Sequence, residues 1–249
     1  MGDDGSPRDL GDGLVLRWAS ASDTERVVAF NAAGFRRSED SPPSHTTGAH
    51  VRDFMSGRNP LVGAEDFVFV EDGRTGAIVA STCLMRQRWS YEGIPFDVGR
   101  PEFVVTDPAY RRRGLIRALF EAIHARSAGR GELAQGITGI PYFYRQFGYE
   151  YALDLEGGRI APLATLPPAP EGEDEAFTLR PATPDDLPLI TDLYDRRRAR
   201  LAVSAVVPDA FWRSLFGAPR GEYNTIWDLR TIVDAEGTAC GYVRVGSMR

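Results

Sequence analysis

The chain has 249 residues, 43% of them hydrophobic and 26% charged, enough to fill one large core or two modest ones. All 29 basic residues are arginine, set against 35 acidic ones for a net charge of -6. That balance argues against general nucleic-acid binding, and the missing lysine excludes a Walker-type Gly-Lys loop, a pyridoxal Schiff base and a lysine nucleophile.

Residues 1–13 are rich in Gly and Asp and read as a flexible tail; the start is polar, not an apolar export signal, and no stretch reaches membrane-spanning length. Residues 14–18 read as a strand, and Ser22-Asp23-Thr24-Glu25 as a capping pattern opening a helix to about Ala33. A loop over 41–48 precedes a short helix over 50–56. Segments 67–70 and 77–84 form a hairpin around Glu71-Asp72-Gly73, and 102–106 forms a further strand. From Gly114 to about Ser127, Leu115, Ile116, Leu119, Phe120 and Ile123 share one buried helix face, with Arg117, Glu121 and His124 on the solvated one. A strand over 133–140, a short helix over 142–147 and a last strand over 149–155 complete this unit.

Residues 157–176 shift sharply toward Pro, Gly and acidic residues and read as a linker. The opening then repeats. Phe177-Thr178-Leu179-Arg180 resembles Val15-Leu16-Arg17-Trp18, Thr183-Pro184-Asp185-Asp186 is again a capping pattern, and the offset that places Leu179 over Leu16 also places Val233-Asp234 over Val70-Glu71. The second copy ends after a hairpin closing at 242–245, with no counterpart of 102–155. Arg196 to Arg198 and Arg200 fit a solvated helix face. Cys83 and Cys240 read as buried residues of equivalent hairpins, forming neither a disulfide framework nor a zinc site and fitting a reducing cytoplasm.

Chemistry concentrates in Val104-Val105-Thr106-Asp107-Pro108-Ala109-Tyr110-Arg111-Arg112-Arg113-Gly114-Leu115-Ile116-Arg117. A strand running through a basic turn into a helix leaves free N–H groups and the positive helix end aimed at one spot, a cradle for pyrophosphate. By itself Arg111–Arg113 equally fits a solvated helix entry. It is followed, after one more strand, by Tyr142-Phe143-Tyr144-Arg145-Gln146-Phe147-Gly148-Tyr149.

Together the two segments resemble the GCN5-related N-acetyltransferase (GNAT) superfamily, whose Arg/Gln-x-x-Gly-x-Gly/Ala motif binds the pyrophosphate of acetyl-CoA; Ile116 departs from it, standing where Gly or Ala is usual. The variant looks like the tandem-domain "enhanced intracellular survival" branch. The resemblance implies an α/β fold with a central mixed sheet flanked by helices, over 14–156, and a partial second GNAT-like domain over 177–249. It implies acetyl-CoA as cosubstrate, an amine acceptor, no metal, and binding through Val104, Val105, Thr106, Arg111, Arg112, Arg113, Gly114, Leu115, Ile116 and Arg117. Tyr144, four residues before Gly148-Tyr149, takes the place of the tyrosine beside the thioester sulfur, where a phenol protonates the departing thiolate. Phe143 and Phe147 read as packing residues, and Tyr142 as either.

Glu102 and Asp97 are candidate bases, each equally readable as a turn or surface carboxylate. His45 and His50, in or beside a loop, have no partner spacing. The functional expectation is acetyl transfer to an amine by direct attack in the cytoplasm, without nucleic-acid or membrane partners. A catalytically inactive acyl-CoA sensor and a purely structural module are the alternatives. The half sheet of the second copy should pack against the first domain or pair with another chain as a homo-oligomer.

Overall fold

A computed structural model describes residues 5–153, 175–217 and 227–246. Its larger sheet is built from β1 (Arg8–Gly11), β2 (Leu14–Trp18), β3 (Phe67–Asp72), β4 (Ala77–Tyr91), β5 (Ile94–Thr106) and β6 (Ala134–Gln135) in that spatial order. Neighbours are antiparallel except β5 and β6, which run parallel, so the sheet is mixed. Helices α1 (Thr24–Gly34) and α2 (His45–Met55) cover one face, and α3 (Leu115–Gly129) covers the other.

The strands alternate accordingly. Phe67 and Phe69 of β3 enter the α1–α2 core with Val27, Val51 and Phe54, whereas Val68 and Val70 enter the α3 core with Leu115, Leu119 and Ile123. A strand buried on both faces reads as the continuous apolar run seen in Phe67-Val68-Phe69-Val70.

Several expectations need correction. The tail is partly a strand, because β1 pairs with β2 across the turn at Gly11-Asp12-Gly13. The cap ahead of α1 belongs to Ser20, whose N–H and hydroxyl both donate to Asp23 at 3.0 Å. Helix α2 starts five residues early because Ser44 Oγ accepts the Thr47 N–H at 3.2 Å. β4 and β5 form one long hairpin, of which only the inner ends are apolar enough to read from the sequence. The strand expected over 133–140 shrinks to β6, and 149–153 forms no strand; 154–155, and the linker from 157 to 174, lie outside the described residues.

The second unit comprises β7 (Phe177–Pro181), α4 (Leu187–Arg198), β8 (Val203–Ala205), α5 (Asp209–Gly217), β9 (Trp227–Asp234) and β10 (Ala239–Gly246). Its three-stranded sheet has the order β10-β9-β7, with Leu187, Ile190, Trp212 and Leu229 buried between that sheet and the helices. β7 and the start of α4 repeat β2 and α1 down to one ion pair. Arg17 Nη1 and Nη2 donate to Asp23 at 2.9 and 2.6 Å, and Arg180 Nη1 and Nη2 to Asp186 at 2.7 and 2.6 Å.

The offset is not kept throughout. Leu16 pairs with Val70 but Leu179 with Ile232, so the second sheet is shifted by one residue relative to the sequence alignment. Cys83 is buried in β4 while Cys240 is exposed near the start of β10, so the two are not equivalent. β8 leaves its own unit and pairs with Trp89, Ser90 and Tyr91 of β4. It takes the edge that β3 vacates beyond Cys83. Packing of the second unit against the first is thereby realised through backbone hydrogen bonds.

Candidate active site

β6 accompanies β5 only at Val98 and Gly99, and the far end of β5, from Val104 to Thr106, faces a cleft of about 1020 Å³. The end of α1 forms one wall. The turn into α3 and the 3-10 helix Phe143–Phe147 form the other. Val104, Val105 and Thr106 lie along the strand side, and Arg111, Arg112, Gly114, Leu115, Ile116 and Arg117 at the helix end. Arg113 is the exception among the expected residues, since its guanidinium sits 4.8 Å from the Tyr110 ring centroid, outside the cleft lining.

The turn is held by its sequence. Asp107 Oδ1 accepts the Ala109 N–H at 2.8 Å, Arg112 adopts φ 62° and Gly114, the N-cap of α3, φ 76°. The helix's first internal bond runs from Ala118 N–H to Gly114 O at 3.1 Å, leaving the Leu115, Ile116 and Arg117 N–H groups directed outward at the positive end. A group carrying adjacent negative charges fits there.

Behind the turn, Tyr110 donates its hydroxyl to Asp72 at 2.8 Å, and Arg74 donates to both Asp72 carboxylate oxygens at 3.0 and 2.9 Å. Arg74, then Tyr110, hold the Asp72 carboxyl well below the usual carboxylate range. This brace ties the turn to the β3–β4 hairpin 38 residues away, a link that no local sequence spacing reveals.

Tyr144 lines the cleft from the 3-10 helix. Its ring packs against Phe143 and Phe120 at 5.1 and 5.7 Å, and it lies so near Gly139 that a Cβ there would come within 2.7 Å of Cε2. Burial, then the negative charge of Glu102, pushes its hydroxyl above the ordinary phenol value. A tyrosine in that state keeps its proton at neutral pH and can donate it. Phe147 stacks on Phe120 at 4.7 Å and also lines the cleft, as Phe143 does. Tyr142 is exposed at φ 63° and donates its N–H to Tyr151 Oη at 2.6 Å.

Neither candidate base stands free. Glu102 pairs with Arg100, and the exposed Asp97 lies 3.9 Å from Arg88 along the outer hairpin. His124 is not the solvated residue expected: it packs edge-on to Phe120, contacts Tyr149 Oη at 3.3 Å and has its basicity lowered by burial. His50 lies in α2 rather than beside a loop, and burial brings its pKa down to about 4.

Five non-glycine residues among the described ones have positive φ. Asp12 and Glu92 sit in hairpin turns, Arg112 lines the cleft, and Phe103 and Tyr142 are the chain neighbours of its lining residues Val104 and Phe143. Strained backbone of this kind is kept where function requires it. Phe35, Arg36 and Glu39, at and beyond the C-cap of α1, are site features that the sequence reading missed. No group of three or more His, Cys, Asp or Glu that could hold a metal occurs among the described residues.

A family model described as an acetyltransferase (GNAT) domain matches residues 16–152, more than half of the chain. The chain belongs to the GNAT family. No curated protein matches the sequence. Among solved structures, Saccharomyces cerevisiae N-myristoyltransferase with bound myristoyl-CoA is 12% identical with a TM-score of 0.68, the alignment covering 97% of this chain and 62% of the yeast chain. A probable N-acyltransferase from Enterococcus faecalis V583 is 14% identical with a TM-score of 0.61, covering 93% of this chain and 54% of that one. At these identities the likeness establishes the GNAT fold, and this chain spans just over half to about three fifths of the length of either protein. No helix among the described residues is long and apolar enough to cross a membrane.

Proposed function

We propose that this GNAT chain transfers the acetyl group of acetyl-CoA to an amine by direct attack. The observation that carries the reading is the convergence of three elements on one cleft: the unpaired part of β5, the arginine-glycine turn at the head of α3, and Tyr144. The turn from Arg111 to Arg117 takes the pyrophosphate on backbone N–H groups and guanidiniums. Val104, Val105 and Thr106 bind the pantetheine arm through main-chain groups, one of whose N–H groups polarises the thioester carbonyl. The neutral amine nitrogen bonds to the carbonyl carbon and gives up a proton to water, the carbon–sulfur bond breaks, and Tyr144 gives its proton to the departing thiolate and is reprotonated from water.

Residues 14–156 serve as the catalytic domain and 157–176 as a linker, while 177–249 form a partial second domain of the tandem branch, in a cytoplasmic protein. One acetyl-CoA binds per chain, because the second unit has no arginine-glycine turn at a helix start among its described residues. The engagement of Glu102 by Arg100 supports a second reading, an acyl-CoA-binding sensor without turnover.

Calorimetry with acetyl-CoA, followed by thiol release in the presence of a polyamine panel, separates the readings. One site per chain with released thiol supports the enzyme, and binding without release supports the sensor. Absence of binding overturns both.

A further inference from the structure

Tyr144 depends for its position on the segment that follows it. The 3-10 helix Phe143–Phe147 has only five residues, with the poor hydrogen-bond geometry of its kind and too few bonds to fix a side chain unaided. Tyr144 Oη has no hydrogen-bond partner among the described residues, and its ring meets Phe120 and Phe143 through apolar contacts, which carry little direction. Gly148 ends the helix at φ 90°, and Tyr149 turns back on it: its N–H donates to Tyr144 O at 3.3 Å and its ring stands edge-on to the Tyr144 ring at 6.2 Å. Tyr149 itself lies outside the cleft lining. Its hydroxyl, pushed by burial above the ordinary phenol value, donates to Gln135 Oε1 on β6, and His124 Nε2 on α3 lies 3.3 Å from the same oxygen. A phenol has one proton, here given to Gln135, so His124 is the donor to Tyr149. Residues 149–153 form no strand, so side chains rather than a ladder attach them to the sheet. Gln135 is paired with Gly99 of β5, the strand whose far end lines the cleft.

Resting on the reading of Tyr144 as proton donor, we infer that Tyr149 is its positioning residue: the hydroxyl knot with Gln135 and His124 sets where Tyr144 stands relative to β5, and so whether its proton reaches the departing sulfur. Tyr149 is outside the cleft, so its effect passes through Tyr144. Proton transfer needs donor and acceptor within hydrogen-bond reach, and a displacement of about 1 Å is enough to lose about a hundredfold in rate. The Arg111–Arg117 turn is braced separately, through Tyr110 and Asp72, and does not share the knot. Loosening the knot is therefore expressed in kcat and not in acetyl-CoA affinity.

The test is a double-mutant cycle in the full chain, read as the chemistry-limited rate of thiol release with the polyamine panel, the acceptor KM and the calorimetric affinity for acetyl-CoA. Tyr149→Phe keeps the ring and deletes the hydroxyl. It should lower kcat about 10- to 100-fold with KM and acetyl-CoA affinity unchanged. In the Tyr144→Phe background the same change should cost less than about twofold, because the donor it positions is gone. Gln135→Met removes the acceptor from the β6 side, should behave alike, and provides the test if Tyr149→Phe does not fold. Full rate in the folded variants, an equal loss in both backgrounds, or a loss carried by acetyl-CoA affinity overturns the inference while leaving Tyr144 as donor. Full rate in Tyr144→Phe, or no turnover of the wild type with the panel, removes the donor reading and the inference with it.

Discussion

The two units of this chain begin with the same device. In each, a strand arginine (Arg17, Arg180) grips an aspartate (Asp23, Asp186) three residues into the next helical turn, and that aspartate also accepts a backbone N–H, from Ser20 or Thr183. Beyond that clamp the units diverge. In the first unit β5 lies beside β4 and α3 covers the sheet's second face, and these two additions supply both the strand side of the cleft and its helix N-terminal end. In the second, Phe177 and Leu179, at positions matching Leu14 and Leu16, are 58% and 54% exposed instead of buried under a helix. The repeated half carries the fold's entry; the unrepeated half carries the proposed chemistry.

Removing the donor tests the unrepeated half most severely. Tyr144→Phe should lower turnover by about 100- to 10,000-fold at saturating substrates with acetyl-CoA affinity nearly unchanged, the effect expected of a lost general acid. Full rate under chemistry-limited conditions would reduce Tyr144 to a packing residue. Stopped-flow thiol detection beside calorimetry reads both quantities.

The shared clamp offers a matched pair. Asp23→Ala should cost about 2–3 kcal/mol, since it leaves a largely covered arginine with only the longer Glu71 pair and removes the acceptor of the Ser20 cap, and should weaken acetyl-CoA binding as the first unit loosens. Asp186→Ala should cost about 1–2 kcal/mol, because Arg180 is 43% exposed, and leave acetyl-CoA affinity unchanged. Chemical denaturation of both variants checks this, and equal losses of affinity would break the distinction between the units.

At the turn, a Cβ on Gly114 would meet nothing within 4 Å, so the fold has room for one; the restriction is φ 76° and the space a ligand needs. Gly114→Val should weaken acetyl-CoA binding by about 1–3 kcal/mol through strain and lost approach. Unchanged affinity in a folded variant would remove the cradle assignment.

The smallest effect is in acid. All three histidines belong to the first unit, and His50 stays neutral in the folded state down to pH about 4 while its unfolded form protonates near 6.5. The unfolded chain therefore binds more protons in this window, and stability falls as pH drops from about 6.5 to 4, by roughly 1.5 kcal/mol after allowance for partial exposure. His50→Gln should flatten that slope in thermal melts, and an unaltered slope would assign it elsewhere.

Legibility followed sequence distance. β2, α1, α3 and the 3-10 helix bearing Tyr144 were readable because caps, periodic apolar faces and Gly148 mark them locally. The outer β4–β5 hairpin was not, since Arg86, Gln87 and Arg88 interrupt the apolar run that marks a strand. α5 and β8 were missed as well, the latter being three residues that gain their form only from β4. Within the site, the basic turn announced itself, whereas the Tyr110–Asp72 brace depends on strands brought together by the sheet. The one-residue shift at Ile232 teaches the same lesson: an alignment offset does not encode which backbone groups pair.

The strand exchanged between units also bears on how this protein could be shortened. A chain ended after residue 153 would retain the complete family match yet bare the Trp89–Tyr91 rung of β4, where an exposed Tyr91 and the neighbouring Ile94 already crowd the hairpin tip. Unpaired rungs recruit other chains. A soluble minimal version would need a charged or proline substitution at that rung, standing in as a gatekeeper for the three residues of β8.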